Sequence, residues 1–107
     1  MDSKNLREIL AGSQLVRLDD EAVEQLWFHL GDNGVAATLG TRNGPVCAPI
    51  LQYTVTDDGK VQFSDHHSIL FTWESVELLD GVLIAKCNQR VHRYTFTPAK
   101  KQERYLP

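Results

Sequence analysis

The chain has 107 residues, of which 42% are hydrophobic and 23% charged, and it carries a formal net charge of −3. This length suits one domain with a single core, and the composition is ordinary for a soluble globular protein. No apolar run approaches the roughly 20 residues that span a bilayer, which argues against a membrane protein. The first residues lack the apolar stretch of a secretory signal, so we expect a cytoplasmic protein.

The charges are distributed unevenly along the chain. Acidic residues dominate residues 1–37, and basic residues dominate residues 86–107. A basic end can contact nucleic acid, but here the bases are scattered over a predicted strand and a tail. The acidic third of the chain can neutralise them in the fold, so we expect no nucleic-acid partner.

The N-terminal segment, residues 3–11, is predicted to form a short helix. Leu6, Ile9 and Leu10 recur at helical spacing and form one apolar stripe. Asp2 or Ser3 can cap its start, and Gly12 is a natural stop. A helix this short is not stable alone, so it must dock on the rest of the domain.

Six turn signals divide the remaining chain into short, evenly sized pieces. They lie at residues 31–34, 43–44, 57–59, 65–68, 80–81 and 88–89, and each contains Asn, Asp or Gly. These residues tolerate the positive φ angles that tight hairpins require. Between them lie β-branched and aromatic residues, which predict strands at 14–18, 22–30, 35–40, 46–56, 60–64, 69–79, 82–87 and 91–97. A polar tail, residues 98–107, follows.

One of these segments, residues 22–30, has two readings. A helix would begin at the acidic run 19–21 and bury Leu26, Trp27 and Leu30, while a strand would place Leu26, Phe28 and Leu30 on one face. The hairpin signal that follows at residues 31–34 favours the strand.

Two irregularities in the pattern predict where the sheet bends. Ile69, Phe71 and Trp73 hold one alternation phase, whereas Val76 and Leu78 hold the other, as a β-bulge near Ser75 would produce.

A proline within segment 46–56, Pro49, predicts an edge position or a second bulge. We therefore predict one all-β domain over residues 1–107, an antiparallel up-and-down meander of seven or eight strands curled into a small barrel, with one short N-terminal helix.

The junction of helix and first strand resembles the start of lipocalin-like and other calycin barrels. Residues 10–16 are similar to their G-x-W motif, although Gln14 stands where the family has tryptophan. In the family that tryptophan packs against a basic residue near the last strand, a place that Arg90 or Arg93 would take here. The resemblance implies that a small apolar or amphipathic molecule binds inside the barrel.

Several side chains have the character of a ligand cavity, which is mostly apolar and aromatic with a few polar groups. The predicted ligand-binding residues are Tyr53, Phe71, Trp73, His92, Arg93 and Tyr94, with Arg93 facing an anionic head group. In the alternative interpretation, the aromatic residues simply fill the core of a small barrel.

No cofactor, metal or catalytic motif is predicted. Asp65, His66 and His67 have metal-ligand chemistry, but they fall in a turn, where Asp is favoured for its own hydrogen bonds. A small enzyme that uses His92 and Arg93 as an acid–base pair is a further hypothesis.

The two cysteines, Cys47 and Cys87, share the alternation phase of apolar neighbours and are expected to be buried free thiols.

The remaining alternative is a protein-interaction domain with a filled core, which forms a homodimer. As part of a strand, Trp27 would face outward and would need cover, either from the N-terminal helix or from a second subunit. The helix is nearer in sequence and is the first expectation. An exposed edge strand around Pro49 is the other candidate surface.

Overall fold

The computed structural model describes residues 2–18 and 22–99. The acidic run 19–21, considered above as a helix start, lies outside the described residues. So does most of the predicted polar tail, residues 100–107.

Over the described residues the chain forms one short helix and ten antiparallel strands. The elements are α1 (Ser3–Leu10), β1 (Gln14–Arg17), β2 (Ala22–Phe28), β3 (Gly34–Thr41), β4 (Val46–Cys47), β5 (Ile50–Val55), β6 (Val61–Ser64), β7 (Ile69–Trp73), β8 (Ser75–Leu79), β9 (Val82–Cys87) and β10 (Arg90–Thr97). The all-β meander with one N-terminal helix is therefore confirmed, and segment 22–30 is a strand.

The strand count exceeds the predicted eight because two predicted strands are interrupted. The first interruption is at Pro49, between β4 and β5. Cys47 pairs with Leu39 and Ile50 pairs with Ala36, so the register on β3 is the same on both sides of the proline. The break is thus a local gap in the ladder and not a bulge, and the Pro49 carbonyl still accepts from the Ala37 N–H at 2.9 Å.

The second interruption closes the barrel. The strand order is β7-β6-β5-β3-β2-β1-β10-β9-β8, with β4 beside β3, so consecutive strands β7 and β8 lie at the two ends of one sheet. They are joined through Glu74, whose N–H donates to the Lys86 carbonyl on β9 at 2.7 Å. The change of alternation phase predicted near Ser75 marks a bend in the chain. Before the bend the segment pairs with β6, and after it the segment pairs with β9. The sheet is therefore a nearly closed barrel.

Helix α1 covers one end of the barrel. The Asp2 carboxylate caps it by accepting from the Asn5 N–H at 2.9 Å. Leu6 and Leu10 are fully buried, and Arg7 donates to the carbonyl of Val55 at the end of β5 at 2.9 Å. Docking of the apolar stripe stabilises a helix too short to form by itself. No helix within the described residues has the length and apolar character needed to cross a membrane.

Aromatic rings fill the middle of the barrel. Phe28 lies 4.8 Å from Tyr53 between ring centroids, Phe63 lies 4.7 Å from Trp73, and Trp73 lies 5.5 Å from Tyr94. These edge-on and tilted contacts are favourable arrangements for aromatic pairs. The centre is thus a packed core, and any ligand space must lie towards an end.

Two of the predicted hairpin turns, at residues 80–81 and 88–89, have two successive residues with positive φ. Asp80 and Gly81 have φ angles of 53° and 77°, and Asn88 and Gln89 have φ angles of 51° and 65°. Two successive residues with positive φ define the type I′ turn, whose twist matches that of the flanking strands.

Two expectations about exposure are wrong. Cys47 is exposed, whereas Cys87 is buried as expected. β4 pairs with β3 alone, because β6 ends opposite Gln52 and supplies no neighbour on its other side. The thiol of Cys47 is therefore left at an open edge.

The second wrong expectation concerns Trp27, which α1 was expected to cover. Trp27 faces outward on β2 and is 50% exposed. α1 instead lies against β5 at the barrel end, where burial of Leu6 and Leu10 directs it.

Candidate functional site

A cavity of about 230 Å³ lies at the barrel end opposite α1. Its lining residues come from the beginning of β2, the end of β3, β7, the end of β9 and the beginning of β10. They are Glu24, Leu39, Phe71, Trp73, Cys87 and His92. Strand alternation explains the set, since each residue shares the inward phase of its strand. Phe71, stacked on Phe63 with a centroid distance of 4.6 Å, and Trp73 provide the aromatic walls.

A charged network lies beside this cavity. The Glu24 carboxylate accepts from Arg17 Nη1 at 3.1 Å and from the hydroxyl of Tyr94 at 2.7 Å. The side chains of Arg17 and Glu24 are only 17% and 11% exposed. Both Glu24 oxygens are thus engaged, and a carboxylate held this way keeps a fixed position in a partly buried site.

The network and burial change the ionisation of neighbouring groups. Burial, together with the Glu24 carboxylate, raises the pKa of Tyr94 well above its usual range, so Tyr94 remains a proton donor. Burial also raises the pKa of the Cys87 thiol, with a further contribution from Glu24. Cys87 is therefore a small apolar wall and not a reactive thiolate.

A wider and more basic cleft continues the cavity outward. It measures about 500 Å³ and is lined by Arg17, Asn88, Arg90 and the two shared residues Cys87 and His92. Asn88 belongs to the β9–β10 hairpin turn. The combined site therefore has an aromatic inner part and an outer part that carries two guanidinium groups.

The structure brings together only part of the predicted ligand set. Phe71, Trp73 and His92 line the cavity. Tyr94 is buried beside it and reaches the site through Glu24. Tyr53 lies towards the α1 end, where it borders a separate cleft of about 460 Å³ with Arg7.

Arg93 does not belong to this group. It is exposed and has the outward phase on β10, whereas His92 has the inward phase. Arg93 is therefore misplaced in the predicted site, since consecutive strand residues point to opposite faces. For the same reason, His92 and Arg93 cannot act together as an acid–base pair on one bound molecule.

The cavity and its outer cleft are also lined by residues that were not predicted for the site, namely Glu24, Leu39, Arg17 and Arg90. For Glu24 the sequence did carry a signal. It shares the inward phase of β2 with Leu26 and Phe28, and a carboxylate in the apolar phase of a strand needs a partner. That partner, Arg17, lies on the adjacent strand in the same inward phase as Leu15.

The turn at residues 65–68 is a hydrogen-bonded surface feature. The Asp65 carboxylate accepts from the N–H groups of His67 and Ser68 at 2.8 and 2.9 Å, and both histidines are exposed. These bonds hold the pKa of Asp65 below its usual value. Among the residues that the structure describes, no group of three His, Cys, Asp or Glu side chains is placed to hold a metal ion.

Fold and site together define a small, nearly closed antiparallel β-barrel with an aromatic cavity at one end, an architecture compatible with a calycin-type barrel. Comparisons with protein-family models, with curated proteins and with solved structures found no match. Gln14, at the position of the family's tryptophan, is exposed on the outer face of β1.

Proposed function

We propose that the protein is a binding module that holds a small apolar or amphipathic molecule at the open end of the barrel, in the manner of a lipocalin-like domain. The observation that carries this proposal is the cavity walled by Phe71 and Trp73, which also contains the polar side chains of His92 and of Glu24, the latter held by Arg17 and Tyr94. Apolar walls supply affinity through burial, and a few placed polar groups set the orientation of a ligand.

The size of the site restricts the ligand. The inner cavity of about 230 Å³ is smaller than the roughly 300–1,000 Å³ of common ligand pockets. A bound molecule therefore places a ring or short apolar chain inside and extends into the outer cleft.

The outer cleft favours a polar or anionic group at the far end of that molecule. Arg17 and Arg90 both line it, and the Glu24 carboxylate holds Arg17 in place. Guanidinium groups bind carboxylates through paired hydrogen bonds. Arg17 and Arg90 thus take the role that Arg93 was predicted to play. A cytoplasmic location completes the proposal, since Cys47 and Cys87 are free thiols.

Fluorescence titration tests the proposal, because the two tryptophans lie in different places. Trp73 lines the cavity, whereas Trp27 is half-exposed on the outer face. In a Trp27→Phe variant, Trp73 is the sole reporter. We expect a saturable change in its emission with at least one class among aromatic carboxylates, short fatty acids and neutral aromatic compounds. A panel without any saturable change would overturn the proposal.

A pair of size-increasing variants locates the binding. Leu39→Phe fills the cavity and should weaken binding at least about 10-fold, as expected when an apolar pocket loses its space. Leu30→Phe is the matched control, since Leu30 is exposed at the α1 end. Equal binding by wild type and Leu39→Phe would place the ligand elsewhere and contradict the assignment. Native mass spectrometry of freshly purified protein gives an independent result, the mass of any co-purified molecule.

A further inference from the structure

The outer surface of β1, β2, β3 and the β4–β5 segment forms a continuous uncharged face. We call it the Trp27 face and define it by residues 14–16, 25–27, 36–38, 48 and 50, which line a shallow hollow of about 480 Å³. None of these residues is charged, although 23% of the chain is. Charged residues are depleted at the cores of protein interfaces, while aromatic residues are enriched there.

Large apolar side chains on this face are exposed to solvent. Trp27 is 50% exposed, Ile50 64% and Val16 44%. The strand register places Trp27 and Ile50 in one row, because Trp27 pairs with Gln14 on one side and with Ala36 on the other, and Ala36 pairs with Ile50. One row across four strands thus carries a tryptophan and an isoleucine on either side of an alanine.

The face combines a projection and a depression. Trp27 is the largest outward side chain, and the small residues Ala36, Thr38 and Ala48 beside it make the hollow. In a two-fold dimer the same patch of both copies forms the interface. If one residue of the first copy contacts a second residue of the other copy, the symmetry repeats that contact with the two copies exchanged. A projection next to a depression on one patch satisfies this condition.

The lack of charged residues on this face also favours a second copy of the chain as its partner. A charged patch repels its own copy across a two-fold axis, whereas this face has no charge to oppose. An uncharged face also lacks the pattern of charges that selects a different partner.

We propose that the Trp27 face is the interface of a homodimer, in which Trp27 of each copy occupies the hollow beside Ala36 and Ala48 of the other. Four strands about 4.8 Å apart and six residues about 3.3 Å each give a flat area of roughly 400 Å² per copy. Two copies together would bury roughly 800 Å², below the roughly 1,200–2,000 Å² of stable interfaces, so this dimer is a weak and transient one. We therefore expect association only at high micromolar protein concentrations. The inference is independent of the proposed ligand, because the cavity lies inside the barrel and this face outside it.

Sedimentation velocity over a protein concentration series tests the proposal. The buffer contains a reductant, because the exposed thiol of Cys47 could otherwise link two copies covalently. Wild type is expected to show a concentration-dependent dimer, and Trp27→Glu should weaken it at least about 30-fold, the loss typical of a central interface residue. Leu79→Glu is the matched control and should dimerise like wild type, since Leu79 is 62% exposed on β8, outside the Trp27 face.

A second variant addresses the depression without touching the tryptophan. Ala48→Arg fills the hollow from an exposed position between β4 and β5, and it should also weaken the dimer. Circular dichroism checks that each variant is folded. If Trp27→Glu is unfolded, the result for Ala48→Arg decides the outcome. A wild type that stays monomeric to about 1 mM overturns the proposal. So does a dimer that both variants leave unchanged.

Discussion

The hydroxyl of Tyr94 on β10 donates to Oε2 of Glu24 on β2 at 2.7 Å, across 70 positions of sequence. The same carboxylate pairs with Arg17 on β1, the strand between β2 and β10. Three neighbouring strands are thus linked by side chains on the inner side of the barrel. The link lies directly beside the proposed ligand cavity, so stability and site geometry depend on the same residues.

The first prediction concerns the hydrogen bond itself. Tyr94→Phe keeps the buried ring and removes the donor, so the free energy of unfolding should fall by about 1.5–3 kcal/mol, the range for bonds to charged groups. Thr95→Val is the neighbouring control. The Thr95 hydroxyl makes only a 3.4 Å contact with the Val16 carbonyl at the surface, and we expect a change below about 0.5 kcal/mol. Urea unfolding measures both, and equal effects would contradict a special role for Tyr94.

Alkaline pH should destabilise the protein through the same tyrosine. Burial raises the pKa of Tyr94 above its value in the unfolded chain. Below about pH 10 Tyr94 keeps its proton in both the folded and the unfolded chain, so its contribution to the free energy of unfolding is fully present. At higher pH the unfolded chain releases the proton while the folded chain retains it, and the free energy of unfolding falls by at most about 1.4 kcal/mol per pH unit.

Unfolding free energies of wild type and Tyr94→Phe between pH 9 and 11 test this sign. The variant should lose less stability over that interval. Tyr53→Phe is the comparison, because burial also raises the pKa of Tyr53, but Tyr53 is less deeply buried than Tyr94. Parallel pH curves for wild type and Tyr94→Phe would show that Tyr94 does not control the alkaline response.

The Arg17–Glu24 pair should be energetically coupled. Removing one partner leaves the other charge in a partly buried place, which costs more than removing both. In a double-mutant cycle with Arg17→Met and Glu24→Gln, the cost of the double variant should be smaller than the sum of the single costs by about 1–3 kcal/mol. A coupling near zero would mean that solvent screens the pair despite its burial.

Two glycines allow the steric cost of an added side chain to be separated from the cost of a left-handed backbone conformation. Gly12 and Gly81 have nearly equal φ angles of 76° and 77°. A Cβ at Gly12 would lie 2.6 Å from the Ala99 Cβ, whereas one at Gly81 meets nothing within 4 Å. Gly81→Ala should therefore cost about 1–2 kcal/mol for the left-handed conformation alone. Gly12→Ala should cost about 1–3 kcal/mol more, because the helix–strand junction must shift. Thermal unfolding compares the two, and equal losses would rule out the steric contribution.

The local features of the fold could be predicted from the sequence because each depends on a few neighbouring residues. Asp80-Gly81 tolerates positive φ, Leu6 and Leu10 recur at helical spacing, and Pro49 lacks the N–H that a ladder needs. Each of these properties belongs to a few neighbouring residues. The corresponding turn, helix and strand break are all present in the structure.

The candidate site was predicted only in part, because it joins residues from different strands. Phe71, Trp73 and His92 were found from their aromatic or polar character in the inward phase, and all three line the cavity. Arg93 was included although it follows His92 directly and so has the opposite phase. Glu24 was omitted, since its partners Arg17 and Tyr94 are distant in sequence or on another strand.

The sequence by itself determined the helix, the positions of the turns and the alternation of inward and outward side chains along most strands, since backbone preferences and alternation depend on adjacent residues. The tertiary structure alone decided which inward residues meet. Strand order and the bend at Glu74 place Glu24 beside Arg17 and Tyr94, and docking of Leu6 and Leu10 at the barrel end leaves Trp27 exposed. The reason is physical: closure of the sheet and burial of the whole core select these neighbours, and no short segment contains that information.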